Sequence, residues 1–348
     1  MRVAHRYFID GRSQLQIAQE LGFSRPKVQR LLDRARDTGV VEIRINGASA
    51  GAAALESRLR ATFELTDAIV TAGEPDPQSQ RQAVARAAAA YLERHASPGG
   101  VVAVGMGRNT GELAAFYRPA QPSGCTFVSA MGGSPSIDAP TNPNDICRVL
   151  AERAGGRCES LFAPAFVETR DVRDGLVRQE AVAHTLAIAA QADIAVVGVG
   201  GTDDGCTMVR SGCCPLVEMA RLRAAGAVGD VLGNYFDATG RLIAAGEDRI
   251  VGLTLAELRR IETVVVVASE SADKAAALLG ALRTGVPDVL IVDERSARLV
   301  LEGAAGPIEP RSVELRSPIE PRTPIEPRTP IDAGSPARSR PSNETLGV

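Results

Sequence analysis

Short apolar runs rich in valine and isoleucine alternate with helical patterns through most of this chain. The runs span 68–70, 101–104, 126–130, 194–199, 263–268 and 289–292. The helical patterns span 79–96, 111–116, 144–154, 174–191, 215–225, 254–260, 271–283 and 294–302. Strands that are apolar on both faces are typical of a parallel sheet covered by helices. The alternation therefore predicts an α/β domain, in which ligands bind at the carboxyl ends of the strands.

Glycine-rich loops follow three of the predicted strands. They contain Gly105 with Gly107, Gly132 with Gly133, and the stretch 198–203. Glycine lets backbone N–H groups approach an anion, and a helix that begins there attracts negative charge. One such loop is a weak signal, because many α/β turns need glycine for their geometry alone. Three of them after strands of one sheet predict a ligand pocket.

The composition excludes several classes of protein. The net charge is −3, and no apolar run approaches the roughly 18 residues that cross a bilayer. Residues 1–10 carry charge throughout and lack the apolar centre of a signal peptide. The six cysteines show neither a CxxC spacing nor a nearby His-x-x-x-His, which indicates reduced thiols rather than disulfides or a zinc site. We therefore expect a cytoplasmic protein without a cofactor, a metal or a membrane partner.

Changes of composition divide the chain into four regions. Residues 1–45 contain short helices and a strand-like run at 40–45, and residues 46–54 have the small, flexible composition of a linker. Residues 55–303 carry the α/β pattern. The tail at 304–348 repeats Pro-Ile-Glu-Pro-Arg three times, and this alternation of proline with charge predicts disorder.

The first region has the features of a helix-turn-helix. Ser13 can cap a helix that Gly22 ends with a left-handed residue. Ser24 can cap the next helix, which tolerates Pro26 in its first turn. Two short helices joined by a glycine-containing turn are the arrangement that places a recognition helix in the DNA major groove.

The exposed face of that second helix is rich in groups that suit DNA. Arginine pairs with guanine and glutamine with adenine through two hydrogen bonds, and lysine suits guanine or phosphate. Residues 1–45 carry nine Arg and Lys against five Asp and Glu, a local charge of +4 that attracts phosphate. The candidate contacts to a double-stranded DNA operator are Ser24, Arg25, Lys27, Gln29, Arg30 and Arg34. The alternative is a helical hairpin whose basic face is only solvated.

Several blocks resemble the SorC family of sugar-responsive transcriptional regulators. Residues 13–32 resemble the family's helix-turn-helix, and 35–43 resemble its exit into a wing strand. The block at 222–233, continued at 236–240, is the most specific match. The resemblance implies a Rossmann-like effector domain similar to ribose-5-phosphate isomerase and glucosamine-6-phosphate deaminase. It also implies a homo-oligomer, with a tetramer as the expected form, that senses a sugar, polyol or sugar phosphate.

The same resemblance implies roles for individual residues. The implied effector-binding residues are Gly105, Gly107, Thr110, Gly132, Gly133, Asp230 and Lys274, and the glycine-rich stretch at 198–203 adds Asp203 as a candidate. Asp230 would accept hydrogen bonds from sugar hydroxyls, and Lys274 would contact an anionic group. The alternatives are an acid bonded to its own loop and a surface lysine in a first helical turn. Ser269 and Glu270 stand where the family usually has glycines, and Glu270 would repel a phosphate, which favours an uncharged sugar or polyol.

Two alternative functions compete with a sensor. A sugar-phosphate isomerase or deaminase fused to a DNA-binding module would need a general base beside the glycine loops. The histidines, His5, His95 and His184, lie in helical patterns instead, although a carboxylate such as Asp203 or Asp230 stays available. A purely architectural DNA-binding protein would leave the α/β region without a role. We therefore expect an effector sensor rather than an enzyme.

Overall fold

The computed structural model describes residues 2–8, 11–37, 50–135, 141–244, 247–269 and 274–305. Four sequence-based predictions lie wholly or partly outside these residues: the wing strand at 40–45, the linker at 46–49, the repulsion by Glu270 and the disorder of the tail beyond residue 305.

Three helices form the N-terminal module: α1 (Arg2–Phe8), α2 (Gln14–Leu21) and α3 (Arg25–Asp37). Ser13 caps α2 in a capping box with Gln16, and Gly22 ends it in the left-handed conformation, with φ of 64°. The buried apolar residues of the module also include Ala4 and Ala35, and five of them form one hydrophobic cluster: Val3, Ile17, Ala18, Val28 and Leu32. The predicted pair of helices joined at Gly22 is thus present, and a first helix packs against both.

The expected linker is wrong for residues 50–54, because helix α4 spans Ala50–Phe63. The small residues of this stretch are mostly alanine, which has the highest helix propensity, so they favour a helix over a flexible segment. Ala52, Leu55 and Leu59 are buried and join the main hydrophobic core. Burial of this apolar face therefore adds to the intrinsic preference for a helix.

In the part of the chain that the structure describes, ten strands form two sheets. The strands are β1 (Asp67–Thr71), β2 (Val101–Val104), β3 (Thr126–Ser129), β4 (Arg157–Glu159), β5 (Ile194–Gly198), β6 (Gly200–Gly201), β7 (Gly229–Val231), β8 (Asn234–Phe236), β9 (Thr263–Ala268) and β10 (Val289–Asp293). Seven of them make a parallel sheet in the order β1-β10-β9-β5-β2-β3-β4. The other three make an antiparallel sheet in the order β6-β7-β8. All six predicted strands lie in the parallel sheet and agree to within one residue at each end.

Helices cover both faces of the parallel sheet. They are α5 (Pro77–His95), α6 (Arg108–Phe116), α7 (Pro143–Ala154), α8 (Arg170–Val177), α9 (Glu180–Ala190), α10 (Thr207–Arg210), α11 (Leu216–Ala224), α12 (Leu255–Leu258), α13 (Ala275–Arg283) and α14 (Glu294–Ala304). Alternate residues of β5 belong to different hydrophobic clusters: Ala195 and Val197 to one, Ile194 and Val196 to the other. Because successive side chains of a strand point to opposite faces, the two clusters lie on opposite sides of the sheet.

One predicted helix is divided. The pattern at 174–191 corresponds to the end of α8 and to α9, with a break at Arg178 and Gln179. The backbone of Gln179 is extended, with ψ of 133°, so the first helix cannot continue through it. Neither glycine nor proline marks this break in the sequence, which is why periodicity alone did not find it. Within the described residues, none of the helices combines the length and apolar character that a membrane crossing requires.

Candidate functional site

A cleft of about 470 Å³, open to solvent, lies at the carboxyl ends of the central strands. The order of the parallel sheet reverses between β2 and β5, because the chain proceeds from β2 to β3 on one side and from β5 to β9 on the other. Such a reversal leaves a crevice in which α/β proteins bind ligands. Residues that line the cleft are Met106, Gly107, Arg108, Asn109, Met131, Gly198, Val199, Gly200, Thr207, Met208, Asp230, Leu232 and Lys274.

Asp230 is a half-satisfied carboxylate in this cleft. Its side chain is 6% exposed, and its Oδ2 accepts a hydrogen bond from the N–H of Gly233 at 2.8 Å. Its Oδ1 has no hydrogen-bond partner among the described residues. Burial raises the pKa of Asp230 to about 6, against the opposing effects of the Gly233 N–H and the charge of Lys274. A buried acceptor of this kind is complementary to a hydroxyl donor.

Strand β6, which pairs with the strand of Asp230, leaves room for the Asp230 carboxylate only because it has glycine at position 200. Gly200 pairs with Asp230 across the antiparallel sheet, and a Cβ atom at Gly200 would overlap Asp230 Oδ1. Gly105 has a similar function, since a Cβ atom there would lie 2.6 Å from Cδ2 of Leu232. These glycines therefore admit side chains from the β7–β8 hairpin, in addition to shaping the turns in which they lie.

The turn of that hairpin holds Leu232 in an uncommon conformation. Val231 pairs with Asn234, so Leu232 and Gly233 form a two-residue turn with φ of 54° and 76°. Positive φ at both positions suits the twist of a hairpin, but it is unfavourable for leucine. The Asn234 amide donates to the carbonyl oxygens of Val231 and Leu253, at 3.0 Å each, and so supports the turn. The turn places Leu232 beside Asp230 in the wall of the cleft.

The loop after β2 contributes a polar edge to the cleft. Gly107 has φ of 150°, and the buried hydroxyl of Thr110 donates to its carbonyl oxygen at 3.0 Å. Thr110 thus stabilises the loop from within. Asn109, which sequence reasoning missed, lines the cleft and accepts a 2.6 Å hydrogen bond from the hydroxyl of Ser269.

The remaining predicted residues lie around the cleft rather than on its surface. The N–H groups of Gly132 and Gly133 already donate to Val251 and Ala163, at 2.8 Å each. Asp203 is exposed, and its Oδ1 accepts from the N–H of Gly205 at 2.9 Å. Of the eight predicted effector-binding residues, the structure brings Gly107, Asp230 and Lys274 together in the lining.

Three methionines, Met106, Met131 and Met208, supply much of the apolar lining that the sequence analysis did not identify. Met106 and Met131 stand next to glycines in the loops that follow β2 and β3. A large apolar residue beside a loop glycine was the signal that could have marked them.

Helix α3 exposes the residues that were predicted to contact DNA. Val28, Leu32 and Ala35 are buried against the module. Exposed side chains are those of Ser24, Arg25, Lys27, Gln29, Arg30 and Arg34. The ammonium group of Lys27 lies 4.2 Å from the centre of the Phe23 ring, which holds this cation near the start of the helix.

The family model described as "Putative sugar-binding domain" matches residues 48–302. The chain belongs to the SorC family of sugar-binding transcriptional regulators. Among curated relatives of this SorC-family protein, the transcriptional regulator LsrR of Klebsiella pneumoniae is 33% identical, over 86% of this chain and 91% of the relative. The deoxyribonucleoside regulator of Bacillus subtilis is 30% identical, over 86% of this chain and 96% of the relative.

Solved structures agree with this assignment. The sugar-binding domain of a transcriptional repressor from Vibrio fischeri superposes with a TM-score of 0.67 and 34% identity, over 72% of this chain and 99% of that domain. The full-length sorbitol operon regulator SorC from Klebsiella pneumoniae shares the fold, with a TM-score of 0.69 and 24% identity over 86% of this chain and 97% of that protein. The sequence-based prediction of a sugar-responsive transcriptional regulator is thus confirmed at the level of the family.

Proposed function

We propose that this SorC-family regulator binds a duplex DNA operator through α3 and a sugar, polyol or sugar phosphate in the cleft at Asp230. The observation that carries the effector half is the unpartnered Oδ1 of Asp230, because a buried acceptor without a donor costs free energy that a ligand hydroxyl can recover. Arg108 and Lys274 place positive charge at the same cleft and suit an anionic group. The proposal therefore includes both uncharged sugars or polyols and sugar phosphates.

The DNA half rests on the exposed polar face of α3. Arginine, lysine and glutamine side chains stand on this face, while the apolar residues of the helix are buried. Such a helix has the groups that read base edges and neutralise phosphates in a major groove. We expect a DNA-binding regulator of this kind to act in the cytoplasm. We also expect it to form a homo-oligomer, and light scattering would test whether this is a tetramer.

Effector binding is proposed to change the affinity for DNA. This requires that the effector bind two states of the protein with different affinities. An isomerase or deaminase activity is the less favoured function, since the chain's relatives are transcriptional regulators.

The first experiment is a thermal-shift screen of sugars, polyols and their phosphates, followed by DNA binding with each stabilising compound. The DNA is the region upstream of the protein's own gene. We expect one compound both to stabilise the protein and to change its affinity for this DNA. Conversion of the compound into a product would support the enzyme instead.

A double variant tests the assignment of the two halves. Lys27→Ala with Arg30→Ala should weaken DNA binding and leave the thermal shift by the effector unchanged. Asp230→Asn should remove the thermal shift by the effector and leave the affinity for DNA unchanged. Equal loss of both activities in either variant would contradict the separation of a DNA-binding face from an effector cleft.

A further inference from the structure

Three polar side chains at the surface of the N-terminal module form a chain of hydrogen bonds, here called the amide relay. The Nε2 of Gln14, at the start of α2, donates to Oε1 of Gln29 on α3 at 2.6 Å. The Nε2 of Gln29 donates to Oδ1 of Asp33, one turn further along α3, at 2.9 Å. The relay thus joins the first turn of α2 to the middle of α3.

The chemistry of the relay allows only one orientation of the Gln29 amide. A carboxylate accepts hydrogen bonds, and Oδ1 of Asp33 accepts one from Gln29, so the amino group of Gln29 must face Asp33. The carbonyl oxygen of Gln29 is then turned toward Gln14, whose amino group donates to it. A glutamine without such neighbours can exchange its oxygen and nitrogen by rotation, whereas this one is held at both ends.

The held amide keeps free capacity for a third partner. One N–H of its amino group and one lone pair of its oxygen remain after the two bonds of the relay. Adenine presents a donor, N6, beside an acceptor, N7, in the major groove, and this pair matches one amide in two hydrogen bonds. Guanine presents two acceptors at the corresponding edge and cannot match the same amide.

We infer that the amide relay presets Gln29 to select adenine at one position of the operator half-site, with Gln14 and Asp33 as positioning residues that set this preference through Gln29. The inference rests on the proposed binding of DNA by α3. Exposed hydrogen bonds of this kind add little to stability, so the effect of the relay is expected in the choice of base. Holding the amide in advance also reduces the conformational entropy that binding removes.

The test is selection of binding sites by the full chain from a random duplex library, followed by sequencing. The wild-type protein should enrich adenine at one position in each half-site. Gln29→Ala should lower the preference for adenine at that position roughly 5-fold to 100-fold, the range of one bidentate base contact. Other positions of the site should keep their preferences.

Asp33→Asn tests the positioning role with little change of shape. Asparagine can donate as well as accept, so it no longer fixes the orientation of Gln29. We expect the preference for adenine at that position to fall by roughly 3-fold or more, which is within the range of one base contact. Removal of the negative charge of Asp33 changes the affinity for every DNA sequence by the same factor. The measured quantity is therefore the ratio of affinities for different bases at one position, because this factor cancels in the ratio.

Gln19→Ala is the matched control, because Gln19 is an exposed glutamine of α2 outside the relay. It should leave every base preference unchanged. Selective binding with an undiminished preference for adenine in Gln29→Ala would overturn the inference and leave the proposed function intact. An Asp33→Asn protein with the wild-type ratio would overturn the positioning role. Absence of any selective DNA binding by the wild-type protein would overturn both the inference and the proposed function.

Discussion

The N-terminal module and the effector cleft use polar residues in opposite ways. The module has a core of five buried side chains and keeps its polar residues on the exposed face of α3. The cleft lies in a domain with two large hydrophobic clusters and buries its carboxylate among apolar groups. The module therefore depends on each apolar contact of a small core, whereas the α/β domain retains an unfavourable buried carboxylate within its larger core.

This difference separates two kinds of vulnerability. A small core offers few contacts to replace one that is lost, so truncation of a buried side chain has a large local effect. In the effector domain, we expect substitutions to change stability most at positions where the backbone or the Asp230 carboxylate lies close to another segment of the chain. Four variants, two in each region, test this contrast.

Leu32→Ala should have the largest effect, because Leu32 is 1% exposed in the small core of the module. We expect the local free energy of unfolding to fall by about 3 kcal/mol. Amide hydrogen exchange of residues 25–35 measures this directly. Leu15→Ala is the control, since Leu15 is 58% exposed and its truncation should change the same quantity by less than about 0.5 kcal/mol. Equal effects of the two variants would contradict the small-core account.

Gly132→Ala should destabilise the effector domain by about 2–3 kcal/mol. A Cβ atom there would overlap the carbonyl of Pro164 and lie 2.6 Å from the Ala163 oxygen, and backbone cannot move aside cheaply. Gly133→Ala is the neighbouring control, because its nearest contact would be at 3.4 Å, to the Asn142 amide. Urea denaturation of both variants is the measurement. Similar losses of stability in the two variants would mean that the close backbone contact at Gly132 is not the cause of the destabilisation.

Asp230→Asn should stabilise the protein by about 1–2 kcal/mol at pH 7 and remove effector binding. The pKa of Asp230 in the folded state, about 6, lies above its ordinary value of 3.8. The folded state therefore holds this proton more tightly, so the contribution of Asp230 to stability is greatest below about pH 4 and is lost as the pH rises through 6. The gain from the substitution should follow the same curve and vanish at pH 4.

The exposed Asp203 provides the control for this pH dependence. Asp203→Asn should leave the free energy of unfolding within about 0.5 kcal/mol of wild type at both pH 4 and pH 7. A stabilisation by Asp230→Asn that is the same at both pH values would show that charge burial is not its cause. Urea denaturation across the pH range measures both variants.

Ser13→Ala should have the smallest effect, about 1 kcal/mol, because it removes the cap of α2. Hydrogen exchange of the first turn of α2 is the measurement. Ser13→Asp keeps a capping oxygen and should preserve most of the protection. Equal loss in the two variants would indicate that the capping box does not stabilise this helix.

Sequence reasoning succeeded where one segment determines its own structure. Six of the seven strands of the parallel sheet were predicted, because a strand buried in such a sheet needs a continuous apolar run, as in Val264 to Val267. The exposed face of α3 followed from helical periodicity. Short elements failed: β4 is an edge strand with only Cys158 between two charged residues, and β6 consists of two glycines.

The cleft was predicted less completely because its geometry depends on segments far apart in the sequence. Asp230 lies beside Gly200 only through the pairing of β6 with β7, and Asn109 meets Ser269 from a distance of 160 residues. No local pattern contains such partners. The glycines of the loops were predicted correctly as part of this region, but not for their structural role. The N–H groups of Gly105, Gly132 and Gly133 donate to backbone carbonyls instead of to a ligand, and Gly105 and Gly132 also allow close approach of other segments.

The three methionines of the cleft bear on how such a sensor can change its ligand over evolutionary time. Methionine is unbranched and flexible, so it fills irregular spaces and tolerates replacement by other apolar residues. A Cβ atom at Gly132 would meet the backbone of Pro164, and Cβ atoms at Gly105 and Gly200 would displace the side chains of Leu232 and Asp230 that form the wall of the cleft. Divergence toward a new effector should therefore proceed through Met106, Met131 and Met208, while these glycines and the carboxylate that they accommodate stay as they are.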